Sequence, residues 1–122
     1  MIVFHLDSEA RTVGFIDTPG GLDEWHKLTH SRVIDIAYRG INGKQYDIII
    51  DDEGILNGGP IISAVSPDGE ARLFGSLVVC NHDADGNETG LTPEDMRNIH
   101  DRIATARSMD TGENIIVLIL DE

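Results

Sequence analysis

Short runs rich in apolar and β-branched residues recur along the whole chain and predict a protein dominated by strands. The runs cover residues 2–6, 11–16, 33–38, 45–50, 61–65, 73–80 and 114–120. Most are separated by a few polar residues or glycines, the spacing typical of β-hairpins. The clearest turn is Asn42-Gly43, since Asn-Gly accepts the positive backbone angles of a two-residue hairpin loop. The last run is almost continuously apolar and therefore predicts a central strand.

Two segments have helical spacing instead. In the first, Leu22 and Trp25, with Leu28 or Thr29, form a one-sided apolar stripe, which predicts a short helix lying on a sheet. A threonine and a proline precede this stripe, but Gly20 and Gly21 follow them and weaken an early start. We therefore expect the first helix to begin near Leu22.

The second helix has a stronger start signal. Thr92 can cap the helix and Pro93 suits its first position, where the missing N–H costs nothing. Apolar residues then continue at helical spacing from Met96 to Ala106. This pattern predicts a helix that runs to about residue 107.

The order of these elements predicts an α+β fold. We expect a mostly antiparallel or mixed sheet of about five to seven strands, with two helices packed on one face. The chain has 122 residues, enough for one domain covering 1–122 and too few for two.

Charge and cysteine content narrow the class of protein. The chain has 22 acidic and 9 basic residues and a formal net charge of −13, which argues against direct binding to nucleic acid phosphates. No apolar run approaches membrane-spanning length. A single cysteine, Cys80, and no visible secretory leader predict a cytoplasmic location.

The sequence contains none of the common catalytic or phosphate-binding motifs. Cys80 ends an apolar strand, which predicts a buried and unreactive thiol. We therefore expect no catalytic residues and no cofactor. An enzyme whose site assembles only in space remains the weakest of the hypotheses.

The candidate partner-binding residues are acidic side chains concentrated in two stretches. They are Asp47, Asp51, Asp52 and Glu53 in the first, and Asp83, Asp85 and Glu88 in the second, which Glu94 and Asp95 continue. Spaced negative charge on a rigid sheet can occupy a positive groove that phosphates would otherwise fill. An acidic surface also keeps a small protein soluble, and the sequence leaves both interpretations open.

The loop 81–86 allows a different interpretation. Asn81, Asp83 and Asp85 alternate with other residues before a glycine, as in the first half of a calcium loop. Thr92 stands where the final glutamate of such a loop is expected. A calcium-binding regulatory or structural domain is therefore the alternative function, and a solvated loop is the simpler explanation.

Two further groupings carry less weight. His26 and His30 together with Cys80 and His82 could supply four zinc ligands, but nothing in the sequence brings the pairs together. The segment 57–60 contains Gly-Gly-Pro and could form a backbone anion site. Its surroundings are acidic, which favours a plain loop.

Three stretches resemble a known family in their order and spacing. They are 46–56 (YDIIIDDEGIL), 73–79 (LFGSLVV) and 90–95 (GLTPED). Together they are similar to the small bacterial and phage family filed as domain of unknown function 3846. The resemblance covers most of residues 1–105, and the last strand goes beyond it.

The resemblance implies a biological origin but no reaction, because the family has no established catalytic residues. Such proteins look like accessory products of phages, plasmids and conjugative elements. The combined expectation is a non-enzymatic, protein-binding module that inhibits a host nucleic-acid-binding defence protein, such as a restriction or CRISPR effector. The oligomeric state stays open.

Overall fold

The computed structural model describes residues 1–53, 61–107 and 111–122. The loop expected at 57–60 lies outside these residues. In chain order the elements are β1 (Ile2–Asp7), β2 (Thr12–Asp17), α1 (Leu22–Thr29), β3 (Ile34–Ile41), β4 (Lys44–Asp51), β5 (Ile62–Val65), β6 (Ala71–Phe74), β7 (Leu77–His82), β8 (Glu88–Thr89), α2 (Pro93–His100), β9 (Ile103–Arg107) and β10 (Asn114–Ile119).

The strands form two sheets, which confirms the α+β class. The larger has six strands in the order β2-β1-β7-β4-β3, with β8 paired to β7, and all its pairings are antiparallel. The smaller has the order β6-β5-β10-β9 and is mixed, since β10 is parallel to β5 and antiparallel to β9. The predicted central position of the last strand is confirmed, because β10 lies between two neighbours.

The β3–β4 hairpin forms where Asn42-Gly43 predicted it. Asn42 has φ 51° and Gly43 φ 87°, the left-handed conformation that this turn requires. All eight residues of β3 pair with β4 in register. This hairpin supplies one edge of the larger sheet.

The run 73–80 is two strands rather than the one predicted. β6 ends at Phe74 and β7 begins at Leu77, and the two strands belong to different sheets. Gly75 has φ 80°, which breaks the extended conformation, and its N–H donates to the Ile61 carbonyl at 2.8 Å. A left-handed glycine thus lets the chain cross from one sheet to the other.

The second helix is shorter than predicted. It ends at His100, and 103–107 form β9 paired with β10. The apolar residues of this segment fit helical spacing and also fit a strand of alternating burial. Pairing with β10 decides the outcome, as tertiary contacts often do for short segments with β-branched residues.

The two helices lie on opposite faces of the larger sheet, which corrects the prediction that they share one. Trp25 of α1 packs in a cluster with Ile49, whereas Ile99 of α2 belongs to the cluster that contains Ile48. Successive strand residues point to opposite faces, so these neighbours mark the two sides. The second face also carries the smaller sheet, through Leu118 and other core residues.

Candidate functional site

The first acidic cluster lies at the end of β4 and in the turn that follows. Asp52 is exposed, while Asp51 and Glu53 are half-buried. The Asp51 carboxylate accepts the Glu53 N–H at 2.9 Å, so it helps to form the turn. Arg32 lies 3.7 Å from the Glu53 carboxylate and offsets part of its charge. Asp52 is therefore the most accessible acid of this cluster.

The second cluster forms the β7–β8 hairpin. Asp83 and Asp85 are exposed and Glu88 is half-buried. One Asp83 carboxylate oxygen accepts the N–H groups of Asp85 and Asn87, each at 2.9 Å. These bonds, led by that from Asn87, lower the pKa of Asp83, so it is anionic at neutral pH.

The two clusters lie at opposite ends of the larger sheet. Asp47 of β4 pairs with Cys80 of the antiparallel strand β7. Continued by three residues, this register places Asp83 level with Lys44, the first residue of β4, whereas Asp51 lies at the far end of that strand. A strand of this length spans about 24 Å. The structure thus places two groups of carboxylates apart on one rigid support and does not merge them into one patch.

Asp47 does not belong to the exposed acidic surface, which corrects its predicted role in partner binding. It is 3% exposed, and its carboxylate lies 2.8 Å from Nδ1 of His82. The Tyr38 ring stands edge-on to the His82 ring, with centroids 6.3 Å apart. Period-two alternation places all three on one face of the sheet, and this alternation is the sequence signal that could have found the cluster.

The loop proposed for calcium does not bring its three candidate ligands together. The Asn81 amide donates to the Asp95 carboxylate at 2.7 Å and to the Gly90 carbonyl at 3.2 Å. It therefore points to the α2 face of the sheet, whereas Asp83 and Asp85 lie in the exposed turn. Among the described residues, no group of three or more His, Cys, Asp or Glu side chains is arranged to hold a metal ion.

The histidines considered for zinc have separate local partners. His26 Nδ1 lies 3.0 Å from the Ser31 carbonyl, and His30 Nε2 lies 3.0 Å from the Asp7 carboxylate. Each contact fixes its ring at one end of α1. Together with the His82 contact, they place these rings in separate environments.

Asp95 is the centre of a polar network that the sequence analysis missed. Its carboxylate accepts hydrogen bonds from Lys44 Nζ at 2.7 Å, Tyr46 Oη at 2.8 Å and the Thr92 N–H at 2.9 Å, in addition to the bond from Asn81. Burial raises the pKa of Asp95, but these donors outweigh burial and hold it well below its usual range.

The Asp95 network also removes one carboxylate from the acidic surface. Asp95 is 2% exposed, so it is a structural anion rather than part of a docking surface. Burial and this carboxylate raise the pKa of Tyr46 to about 12, which keeps the phenol a donor. The Thr92-x-x-Asp95 capping box was the available signal.

These features define an acidic α+β protein with two charged hairpin ends on a shared sheet. The chain belongs to the family described as domain of unknown function (DUF3846), whose model matches residues 1–104. The strand β10 lies outside the matched range, although it is central in the smaller sheet. No helix among the described residues is long and apolar enough to cross a membrane. Comparison with curated proteins found no match, and comparison with solved structures found none.

Proposed function

We propose that this protein is a non-enzymatic binding protein that places two groups of carboxylates on the basic surface of a partner protein. The observation that carries the proposal is the separation of Asp52 from Asp83 and Asp85 on one antiparallel sheet. A rigid support fixes the spacing of the charges before binding, so little conformational freedom is lost on association.

The spacing suits a partner that binds nucleic acid. Phosphates on one strand of duplex DNA are about 3.4 Å apart along the helix axis, so about 24 Å corresponds to about seven nucleotides. Carboxylates at this spacing can occupy two ends of a positive groove and exclude the nucleic acid. The net charge of −13 also steers the protein toward a basic partner.

A phage or plasmid setting is part of this proposal, because the sequence resemblance implies it. In that setting the protein would act on a host factor, and a nucleic-acid-binding defence protein has a basic groove that suits the net charge of −13. We therefore propose inhibition of such an effector, anti-restriction or anti-CRISPR in kind, by occupation of its groove. The proposal needs no cofactor and no contact between this chain and nucleic acid.

The test is capture from a bacterial lysate on the immobilised protein, followed by a salt gradient and mass spectrometry. We expect a basic nucleic-acid-binding protein that salt releases and that duplex DNA competes away. The double variant Asp52→Lys and Asp85→Lys changes one exposed residue in each cluster. It should lower the amount retained at least about tenfold, because it reverses charge where the partner docks.

A matched control separates local charge from net charge. The variant Asp68→Lys and Glu122→Lys changes the net charge equally at two exposed positions outside both clusters. It should retain the partner nearly as well as the wild type. Equal loss in both variants would show that net charge alone causes retention, and this would refute the assigned surface. A rise in melting temperature with millimolar calcium would instead favour the metal-binding alternative.

A further inference from the structure

The two edges of the larger sheet differ in how they are protected. At the β3 edge, the Asp52 N–H donates to the Val33 carbonyl at 2.9 Å, so odd-numbered residues of this strand bond to β4. The even-numbered residues therefore point their N–H and C=O groups away from the sheet. Exposed groups of this kind form a template for another strand unless they are covered.

Three of these outward groups on β3 are covered from within the chain. The Ile36 N–H donates to the Asp35 carboxylate at 2.8 Å. The Tyr38 carbonyl accepts a hydrogen bond from Arg39 Nη1 at 3.2 Å. The Gly40 carbonyl accepts one from the Asp121 N–H at 2.9 Å. Two of the three covering groups are charged side chains next in sequence to the groups that they cover. These contacts, and the charged side chains that make two of them, render the β3 edge a poorer template for strand addition than an uncovered edge.

Among the described residues, nothing covers the β2 edge in this way. Met1 and Thr18 exchange two backbone hydrogen bonds, both of 2.9 Å, which fixes the register of the β1–β2 ladder. By this register the N–H and C=O groups of Val13 and Phe15 point away from β1. Within the described part of the chain, no hydrogen bond is made to these outward groups.

An apolar groove runs beside this open edge. It has a volume of about 300 Å³ and is lined by Phe15 of β2 and by Met96, Arg97, His100 and Asp101 of α2 and its C-terminus. A strand added to β2 would place alternate side chains on the face that carries Phe15. The groove can therefore receive an apolar side chain while the backbone groups pair with Val13 and Phe15.

We propose that the β2 edge binds an extended, positively charged segment of the partner protein as an added antiparallel strand. Exposed carboxylates lie at both ends of β2, because Asp17 and Glu9 have side chains that are 80% and 69% exposed. Among the described residues, the Asp17 carboxylate lies 3.1 Å from the amino terminus and the Glu9 carboxylate lies 3.7 Å from Nδ1 of His30. The overall charge of −13 favours a basic strand in addition. This inference rests on the proposed function for the sign of the partner's charge.

A second copy of this chain suits the edge less well. Two copies would bring together two chains of the same large negative charge. Pairing of two six-residue strands also buries much less than the roughly 1,200 Å² that stable association needs. A peptide strand gains most of its affinity from main-chain hydrogen bonds, which the β2 edge provides.

The experiment titrates a synthetic peptide of eight residues, alternating valine and lysine, into the full ¹⁵N-labelled chain. We expect saturable shifts of the Val13 and Phe15 amide signals and amide exchange slowed at least about tenfold, because both N–H groups become bonded. The Ile36 and Tyr38 amides should not change. A peptide that alternates valine and glutamate, and a Val/Lys peptide N-methylated at every second residue, should not bind.

Two variants make the assignment specific. Val13→Pro removes an outward N–H without removing a ladder bond, and it should abolish peptide binding. Asp35→Ala with Arg39→Ala uncovers the β3 edge and should add a second site at Ile36 and Tyr38, so the inference is testable even if the proline variant does not fold.

Three results would overturn the inference: no saturable shift at Val13 and Phe15, equal binding of the glutamate peptide, or shifts that depend on protein concentration without peptide. Shifts that depend on protein concentration would show that the β2 edge binds a second copy of this chain. Failure of the proposed function is distinguishable, since it appears as lysate capture that the Asp52/Asp85 variant leaves unchanged.

Discussion

Gly40 and Asp121 approach so closely that a Cβ on Gly40 would lie 2.8 Å from Oδ2 of Asp121. The Asp121 carboxylate accepts the N–H groups of Asn42 and Gly43, each at 2.9 Å, and the Asp121 N–H donates to the Gly40 carbonyl. The residue two positions beyond β10 thus closes the turn of the β3–β4 hairpin. It ties the end of β10, one of the two central strands of the smaller sheet, to an edge of the larger sheet.

We expect Gly40→Ala to lower the free energy of unfolding by about 1–3 kcal/mol, because its methyl group displaces this carboxylate. Asp121→Ala should cost about 1–2 kcal/mol by leaving two turn N–H groups without their acceptor. The double variant should lose at least about 0.5 kcal/mol less than the sum, since removing the carboxylate makes room for the methyl. Urea unfolding of the four proteins measures this coupling.

The control for this cycle is Gly14→Ala on β2. A Cβ there would meet no atom of the described residues within 4 Å. Its effect should be small and should add to that of Asp121→Ala. Additive losses for Gly40→Ala and Asp121→Ala would contradict the steric coupling.

Asp95→Asn should cost about 2–4 kcal/mol of unfolding free energy. The amide keeps the shape of the side chain, but it removes the charge that pairs with Lys44 and turns one acceptor oxygen into a donor facing other donors. Glu94→Gln is the matched control, because this neighbour is exposed and in the same helical turn. Its effect should stay within about 0.5 kcal/mol. Equal effects would show that the network contributes nothing beyond helix-end charge.

The same network predicts acid sensitivity. The folded pKa of Asp95 is depressed below its ordinary value of 3.8, so the native state favours the ionised form more than the unfolded state does. This stabilisation is complete above the unfolded pKa and is lost as pH falls from there toward the folded pKa. The depressed pKa values of Asp7 and Asp83 act in the same direction.

Unfolding free energies of wild type and Asp95→Asn, measured between about pH 6 and about pH 3, isolate the Asp95 contribution. The wild type should lose stability more steeply than the variant in the acid range. If the two stability curves run parallel, Asp95 has the same pKa in the folded and unfolded states, and its network does not stabilise the ionised carboxylate.

Local signals predicted the parts of the fold that local chemistry decides. Asn42-Gly43 can form few structures other than its turn, and Thr92 with Pro93 fixes where α2 begins. The segment 103–107 could not be assigned in this way, because its residues fit two periodicities. The choice depends on β10, a strand that the family match does not include.

In the candidate site too, the features set by local sequence were predictable and those set by contacts distant in sequence were not. Clusters of acidic residues in turns were predictable as at least partly exposed charge, because Asp and Glu rarely lie fully buried. Asp47 and Asp95 are the exceptions, and each is buried by a partner distant in sequence: His82 for one, and Lys44 with Tyr46 for the other. Pairings over such separations depend on strand register, which composition and spacing do not reveal.

The Cys80 thiol should not react with a disulfide reagent in the native protein. It is buried, as its position at the end of an apolar strand predicted. Burial, with the carboxylates of Glu88 and Asp47, raises its pKa to about 12, so very little thiolate forms at neutral pH. Reaction with a chromogenic aromatic disulfide should therefore be slow without urea and complete, with one equivalent of thiol, in denaturant.

The reaction rate also reports on opening of the sheet. If labelling requires global unfolding, Asp95→Asn should accelerate it in proportion to its lost stability, by about tenfold for each 1.4 kcal/mol. Glu94→Gln should label at the wild-type rate. Rapid labelling of the native wild type, or equal rates for wild type and Asp95→Asn, would contradict this expectation. Either result would show that Cys80 becomes accessible through local opening of the face covered by α1. Such opening would not depend on the Asp95 network, which lies on the opposite face.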